Sequence, residues 1–391
     1  MLTACEKRAC ISAISLSLAL ALAAGSLSAQ NKLPKPRRLD SGVVLRRDPA
    51  TGELRRATPS ATDTAAGSAT IRTRVALVEV GCNVFAAGGA PVRGLAAADF
   101  RLYEDGVEQR IVHFDASTAA ASIVLVLDTS PSVFRDLDEI RDAARTLSRS
   151  LAPQDEVAVV TFAARTRLVL PLTRDRALLE RTIAAYGLPS DPEEARGSRI
   201  YESVYLAAED MFGGVSRTGR KALVLLTDGQ DTGMGLSWDP ASAMPRPGAS
   251  ADRLTFEDVA RALAARGVEL YAITTQPRPA AFTDAWLAAH RSETLVSSQS
   301  REAGMPHYTL YLAELVRRAG GQLFFLREVG ALGDVYRRIA ESLSAQYILG
   351  FYPSAGLARP GWRSLRVELI SEGPARARLI HRIAYYVSAS P

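Results

Sequence analysis

Five short apolar runs, separated by amphipathic stretches, constrain this 391-residue chain more than any other feature. The runs cover residues 123–127, 157–162, 222–226, 268–273 and 322–326. Several are apolar throughout instead of alternating, as strands covered on both faces are. After the first run, Val133, Leu137, Ile140, Ala144, Leu147 and Leu151 follow at steps of four and three, which is one face of a helix. Similar periods run over 200–211, 256–263, 308–316 and 332–343. This alternation predicts an α/β fold, a doubly wound, mostly parallel sheet with helices on both sides, over residues 121–346.

The flanking segments differ in composition. Lys7 and Arg8 precede an apolar stretch over 11–24 and a small-residue stretch ending at Ala29. Residues 1–29 therefore read as a secretory signal peptide. The apolar stretch is short for a span, which needs about 20 residues. The chain is expected to be exported, to the periplasm or the cell exterior, with no membrane span after signal cleavage. Cys5 and Cys10 leave with the signal, so Cys82 has no intrachain partner and is expected to be a buried strand residue. Residues 30–69 are rich in Pro, Ser, Thr, Ala and charge, without an apolar period, and read as a disordered basic linker. Residues 70–116 carry short β segments and a Glu104-Asp105-Gly106 hairpin turn, with residues 109–114 as its answering strand. That segment is thin for a core of its own. Strands over 347–352, 365–369 and 377–387 are expected to pair with it, giving a small β module built from both chain ends, 70–116 and 347–391.

The formal charge of +5 suggests nucleic acid until it is divided. Residues 1–69 hold ten Lys and Arg against five Asp and Glu, and residues 70–391 hold 37 of each kind. The folded part is balanced, which argues against a nucleic-acid-binding face.

Ligands of doubly wound sheets sit at the carboxyl ends of the strands. Asp128-Thr129-Ser130-Pro131-Ser132 follows the first run, and Thr227-Asp228-Gly229-Gln230-Asp231 follows the third. Between them, Gly197-Ser198 opens the helix over 199–211. Asp128, Ser130, Ser132, Ser198 and Asp228 thus bring five oxygen side chains from three loops to one rim. Hard divalent cations take oxygen ligands and keep several waters, so Mg2+ is the expected occupant, with Mn2+ or Ca2+ as alternatives. Two carboxylates do not over-neutralise such an ion. It still attracts an outside anion, most naturally an Asp or Glu side chain of a protein partner. The competing reading of Asp128, Ser130 and Ser132 is a helix N-cap cluster, and of Asp228-Gly229 a plain turn.

At these residues the chain resembles a von Willebrand factor type A (VWA) domain, over about residues 121–346. That family's metal-ion-dependent adhesion site uses D-x-S-x-S, then a Thr, then an Asp in a T-D-G context. Asp128, Ser130, Ser132 and Asp228 match position for position, while Ser198 stands where the family usually has Thr, with Arg199 beside it. The resemblance implies a binding or adhesion protein that is not an enzyme. The flanks, Asp99-Phe100-Arg101-Leu102-Tyr103-Glu104-Asp105-Gly106 and Gln346-Tyr347-Ile348-Leu349-Gly350-Phe351-Tyr352-Pro353, resemble VWA-related secreted proteins of acidobacteria.

H-E-x-x-H, C-x-x-C, Walker and G-x-S-x-G motifs are all absent from the sequence. Two alternatives remain: a metal-assisted hydrolase on the same rim with Asp231 as base, and an envelope structural protein with a vestigial site. Two long connections, 229–252 and 276–306, leave carboxyl ends of strands. Leu236, Trp238, Met244, Phe282 and Trp286 on them are expected either to shape a partner surface or to staple the loops down.

Overall fold

The computed structural model describes residues 33–40, 44–48, 54–57, 77–116, 120–131, 137–185, 187, 193, 197–213, 219–229, 231–232, 238–239, 244–245, 254–275, 278–280, 282–283, 307–326, 328–353, 360–370 and 377–387. The expected signal peptide and its cleavage site lie outside these residues. Three short strands come first, β1 (Arg37–Arg38), β2 (Val44–Arg47) and β3 (Leu54–Ala57). Next are β4 (Val78–Phe85), β5 (Phe100–Glu104), β6 (Val107–Gln109) and β7 (His113–Asp115). The alternating part follows with β8 (Ala121–Asp128), α1 (Leu137–Ser150), β9 (Glu156–Phe162), β10 (Thr166–Thr173), α2 (Arg176–Ala184), α3 (Ile200–Phe212) and β11 (Arg220–Thr227). It continues with β12 (Trp238–Asp239), β13 (Met244–Pro245), α4 (Phe256–Arg266), β14 (Glu269–Thr274), α5 (His307–Ala319), β15 (Leu323–Phe325) and α6 (Leu332–Ser344). After α6 come β16 (Tyr347–Phe351), β17 (Gly361–Leu369), β18 (Arg378–His381) and β19 (Ala384–Val387).

The central sheet has the order β1-β10-β9-β8-β11-β14-β15. Strands β9, β8, β11, β14 and β15 are mutually parallel, and β10 and β1 add to one edge antiparallel. This is the doubly wound α/β fold the alternation predicts. Val124 and Val126 of β8 pack on one face among residues of α3, α4 and α5, while Ile123, Leu125 and Leu127 pack on the other among residues of α1 and α6. A strand buried on both faces has no position for a polar side chain, which is why these runs are apolar throughout. Helix α1 buries Ile140, Ala144 and Leu147, three members of its apolar stripe. The sequence reading passed over β10 and α2. In β10 only alternate residues, Thr166, Leu168 and Leu170, are buried, a weaker signal than a continuous run.

Strands from the two chain ends form two four-stranded sheets, β18-β4-β16-β7 and β19-β17-β5-β6. Val80, Cys82, Leu102, Leu349, Phe351 and Val367 share the core between them. Each sheet takes strands from before β8 and after α6, through the pairs β4–β16 and β5–β17. Burial pushes the Cys82 thiol far up, leaving it a packing group. Asp105 and Gly106 both take positive φ, 48° and 82°, and turn β5 into β6. The single strand expected over 109–114 is broken at Arg110: β6 pairs with β5, then the chain crosses so that β7 pairs with β16. The basic stretch expected to lack structure also contains β1, β2 and β3. Its arginines form ion pairs with acidic residues far along the chain, a source of order that composition does not reveal.

The β strands rest on the helical face through a charged, aromatic junction. Arg318 of α5 bonds Glu257 at 2.7 Å and Glu314 at 2.9 Å, and its guanidinium lies over the rings of Phe256 and Trp362. Trp362 of β17 donates its indole N–H to Glu257 at 3.1 Å. At the amino ends of the parallel strands, Glu269 is half-buried beside Arg220 and Arg382, and accepts from Gln346 and from Tyr271 at 3.0 Å. A Cβ at Gly81 would meet the Glu269 carboxylate and the Gln346 amide, and one of these side chains would have to shift to admit it.

Burial pushes the Glu269 carboxyl up to about 7 from an ordinary 4.5, against the pull of Tyr271, Gln346 and the two arginines. The folded protein then holds a proton that the unfolded chain releases between those values. The stability this proton carries is complete below the unfolded value and is lost as the pH rises through about 7. Glu269→Gln keeps both hydrogen bonds without the charge. It is expected to flatten the fall in melting temperature between about pH 5 and pH 8, removing on the order of 2 kcal/mol of pH-dependent stability. Parallel pH profiles for the two proteins in thermal melts would refute this account.

Candidate metal centre

Strands β8 and β11 are neighbours although β9 and β10 lie between them in the chain. The winding of the sheet reverses here, and the crevice at such a reversal is where doubly wound sheets bind ligands. Register places Leu127 beside Leu226, which sets Asp128 alongside Thr227 at the carboxyl ends of the two strands. Thr227 Oγ1 donates to Asp128 Oδ2 at 3.0 Å. The Ser130 amide donates to Asp128 Oδ1 at 2.8 Å, the short loop that an Asp makes with the residue two positions on. Thr129 ties this loop to the end of β9, through its amide and its hydroxyl to the Phe162 carbonyl at 2.7 and 2.8 Å.

Ser198 arrives from the start of α3. Its hydroxyl donates to Asp128 Oδ2 at 3.2 Å. The Ser198 amide donates to Thr232 Oγ1 at 3.0 Å, and the Thr232 amide returns a 2.8 Å bond to the Ser198 carbonyl. The Arg199 amide donates to the Ala163 carbonyl at 3.0 Å, in the turn between β9 and β10. Gly197 has φ of 84°, and a Cβ there would lie 2.8 Å from Thr232 Oγ1. Left-handed backbone and close approach together reserve this position for glycine.

Asp128, Ser130, Ser198, Thr227 and Asp228 are all buried. Burial pushes the Asp128 carboxyl up and the Asp228 carboxylate adds to this, while bonds from Ser130 and Thr227 pull it down. Two carboxylates are thus held close together away from bulk water. Among the described residues no group of three or more His, Cys, Asp or Glu could hold a metal ion. Asp128, Asp228, Ser130 and Ser198 offer as many hydroxyls as carboxylates, the chemistry of a hard cation rather than of thiolate and imidazole sites. A hydroxyl that gives its hydrogen to Asp128 keeps its lone pairs for a cation. These residues fit a divalent ion.

Of the residues singled out in the sequence, Asp128, Ser130, Ser198 and Asp228 gather at this crevice, and Ser132 lies outside the described residues. Asp231 accepts from the Tyr201 amide at 3.2 Å, so its carboxylate serves the first turn of α3. Arg199 pairs with Glu202 at 2.9 Å. Sequence reasoning missed Thr227 and Thr232, both visible in the stretch Thr227-Asp228-Gly229-Gln230-Asp231-Thr232 but indistinguishable there from turn residues. Phe282 is not a surface residue. It is buried and meets Phe325 edge-on at 5.7 Å, stapling its loop to β15. Leu236 and Trp286 lie outside the described residues, as do the side chains of Trp238 and Met244.

The parallel sheet carries D-x-S, a buried serine and T-D-G at its reversal point, the arrangement to which a VWA domain is similar. A match to the von Willebrand factor type A domain family covers residues 122–294. No curated protein matches the chain. Among solved structures, an aerotolerance-related membrane protein from Bacteroides fragilis is 15% identical, with 56% of this chain and 98% of that one covered and a TM-score of 0.38. The vWF domain of the type V pili tip protein Mfa5 from Porphyromonas gingivalis is 12% identical, covering 58% of this chain and 95% of that one, with a TM-score of 0.40. Proximal thread matrix protein 1 from the mussel byssus, with a zinc-occupied MIDAS motif, is 16% identical, covering 60% and 48%, with a TM-score of 0.40.

Gly197→Ala is expected to destabilise the protein by about 1–2 kcal/mol through the left-handed backbone alone, and further through the Thr232 contact. A lowered denaturation midpoint is the measurement. An unchanged midpoint would show that the Ser198 loop tolerates another backbone path.

Proposed function

We propose that this protein binds a divalent cation, Mg2+ in preference to Mn2+ or Ca2+, at Asp128, Ser130, Ser132, Ser198 and Asp228. Through that cation it captures an Asp or Glu side chain of a protein partner. The observation that carries the reading is the bonding of Ser198 and Thr227 to one oxygen of Asp128 at the reversal point of the sheet. VWA domains mediate protein–protein interaction, and the domain match supports binding as the role of this rim. The bound cation supplies an open coordination position for an anion. Asp128 and Asp228 provide the charge that retains it, and the hydroxyls complete a short, rigid set of ligands with little rotamer freedom to lose.

Export belongs to the same reading, on the strength of the basic, apolar and small-residue pattern of residues 1–29. So does membership of the secreted VWA-related group, which rests on the two flanking motifs. Catalysis is not part of it. The sequence carries neither of the hydrolase motifs H-E-x-x-H and G-x-S-x-G, and Asp231 accepts the Tyr201 amide in the first turn of α3.

Asp228→Ala and Asp128→Asn are each expected to abolish Mg2+ binding by calorimetry while keeping a cooperative melt. Wild-type protein should retain a partner from envelope extract in Mg2+ and release it to chelator, and neither variant should retain it. Unchanged Mg2+ affinity in both variants would overturn the site. Turnover of ester or phosphoester substrates that Asp128→Asn abolishes would replace binding with hydrolysis.

A further inference from the structure

The basic segment before the β module is anchored to the domain at both ends. Arg37 and Arg38 extend the central sheet by pairing with Leu168 and Arg167 of β10, and the Leu39 amide donates to the Thr166 carbonyl at 2.9 Å. Leu39 enters the main core and Leu54 is buried as well. Arg37 and Arg56 both reach Asp210 of α3, at 2.6 and 3.6 Å. Arg47 holds Asp258 of α4 through two bonds of 2.9 and 2.8 Å. Arg37–Arg38 add an edge to the central sheet, and Val44–Arg47 pairs antiparallel with Leu54–Ala57; held by two apolar anchors and several ion pairs, these pieces form a strap. Each partly exposed ion pair holds it only weakly.

The strap ends beside the metal rim. Asp40 lies between Arg38, at 3.1 Å, and Arg165, at 3.3 Å, and its side chain is only 8% exposed. Arg165 belongs to the turn joining β9 to β10, where its carbonyl accepts from the Ala163 amide at 3.1 Å. Ala163 in turn accepts from Arg199, the residue after Ser198. The neighbouring Phe162 carbonyl holds Thr129, between Asp128 and Ser130. Asp40 therefore touches one side of a tight turn whose other side supports two of the three metal-site loops. Three strand spacings separate Leu39 from Asp128, about 14 Å. At that separation the strap acts through the turn and not as a ligand.

We infer that residues 37–40 are the part of this strap that fixes the turn at 163–165, and that Asp40 is a positioning residue for the Ser198 arm of the metal rim. The inference rests on the proposed metal site and adds to it a control element from outside the matched domain. Releasing the strap, by a competing anion at Arg165 or by cleavage among its arginines, loosens the Arg199–Ala163 bond. Ser198 is then held by its Thr232 bonds alone, and its hydroxyl is less firmly placed at Asp128.

The test uses the full chain with Asp40→Ala, Asp40→Glu and Asp128→Asn. Mg2+ affinity is read by calorimetry, and amide exchange is followed in the peptide spanning residues 197–203. Asp40→Ala is expected to weaken Mg2+ binding about five-fold, the lower end of ordinary coupling between sites. It should also speed exchange at Arg199 with the melting temperature near wild type, and Asp40→Glu should restore both. Wild-type Mg2+ affinity and wild-type exchange at Arg199 in Asp40→Ala would overturn the inference. If wild-type protein binds no more Mg2+ than Asp128→Asn, the metal reading fails on its own. Exchange at Arg199 then decides the strap's role by itself.

Discussion

Everything at the rim depends on one buried carboxylate. Asp128 ends a strand that is apolar on both faces, so its charge cannot retreat to solvent without unpairing β8 from β9 and β11. The fold answers by surrounding it with donors, the Ser130 amide and the Ser198 and Thr227 hydroxyls. Each donor is delivered by a different part of the chain: the Ser130 loop is tied to the end of β9, Ser198 to the Thr232 loop, and Thr227 is placed by the pairing of β11 with β8. The three loops around Asp128 are thus cross-linked to one another through backbone carbonyls at Phe162, Ala163 and Ser198. Loops tied this way present oxygen atoms in a fixed arrangement, which is what a small hard cation requires.

The opposite end of the sheet meets a different constraint. The β strands from the two chain ends are too short to make separate folds, and they are held to the α/β domain by polar contacts as well as apolar ones. Arg318, Glu257, Glu314 and Trp362 satisfy one another at the helical face. Glu269, Tyr271 and Gln346 do the same at the amino ends of the strands. Breaking either group would strand buried polar atoms, a cost of about 1–3 kcal/mol for each group left unsatisfied. Residues Pro36–Pro391 accordingly form one compact unit. The metal rim and the Glu269 group lie at opposite ends of the same strands, while the strap reaches both the β10 edge and, through Arg47 on Asp258, the neighbourhood of Glu257.

Motif spacing and apolar pattern together made much of this legible. The runs that became β8, β9, β11, β14 and β15 are identifiable because burial on both faces excludes polar residues over several consecutive positions. D-x-S-x-S and T-D-G are informative because each stands directly after such a run. The antiparallel edge was less visible. Strand β10 alternates, and the strap is written in arginines whose partners, Asp210 and Asp258, lie more than 150 residues away. Phe282 shows the same limit: an aromatic residue in a long loop has one appearance in sequence whether it faces a partner or Phe325.

The amino-acid sequence by itself determined the winding of the central sheet and the identity of the rim carboxylates. Both are local facts: strand burial dictates the run, and the residue that ends the run occupies the carboxyl edge. Only the tertiary structure decided which donors reach Asp128, since Thr227 arrives through the register of β8 against β11 and Ser198 through the Thr232 and Ala163 contacts. It also decided that a basic stretch without apolar period becomes an edge strand. Pairing across a sheet and charge complementarity between distant segments act through space, and neither leaves a period along the chain.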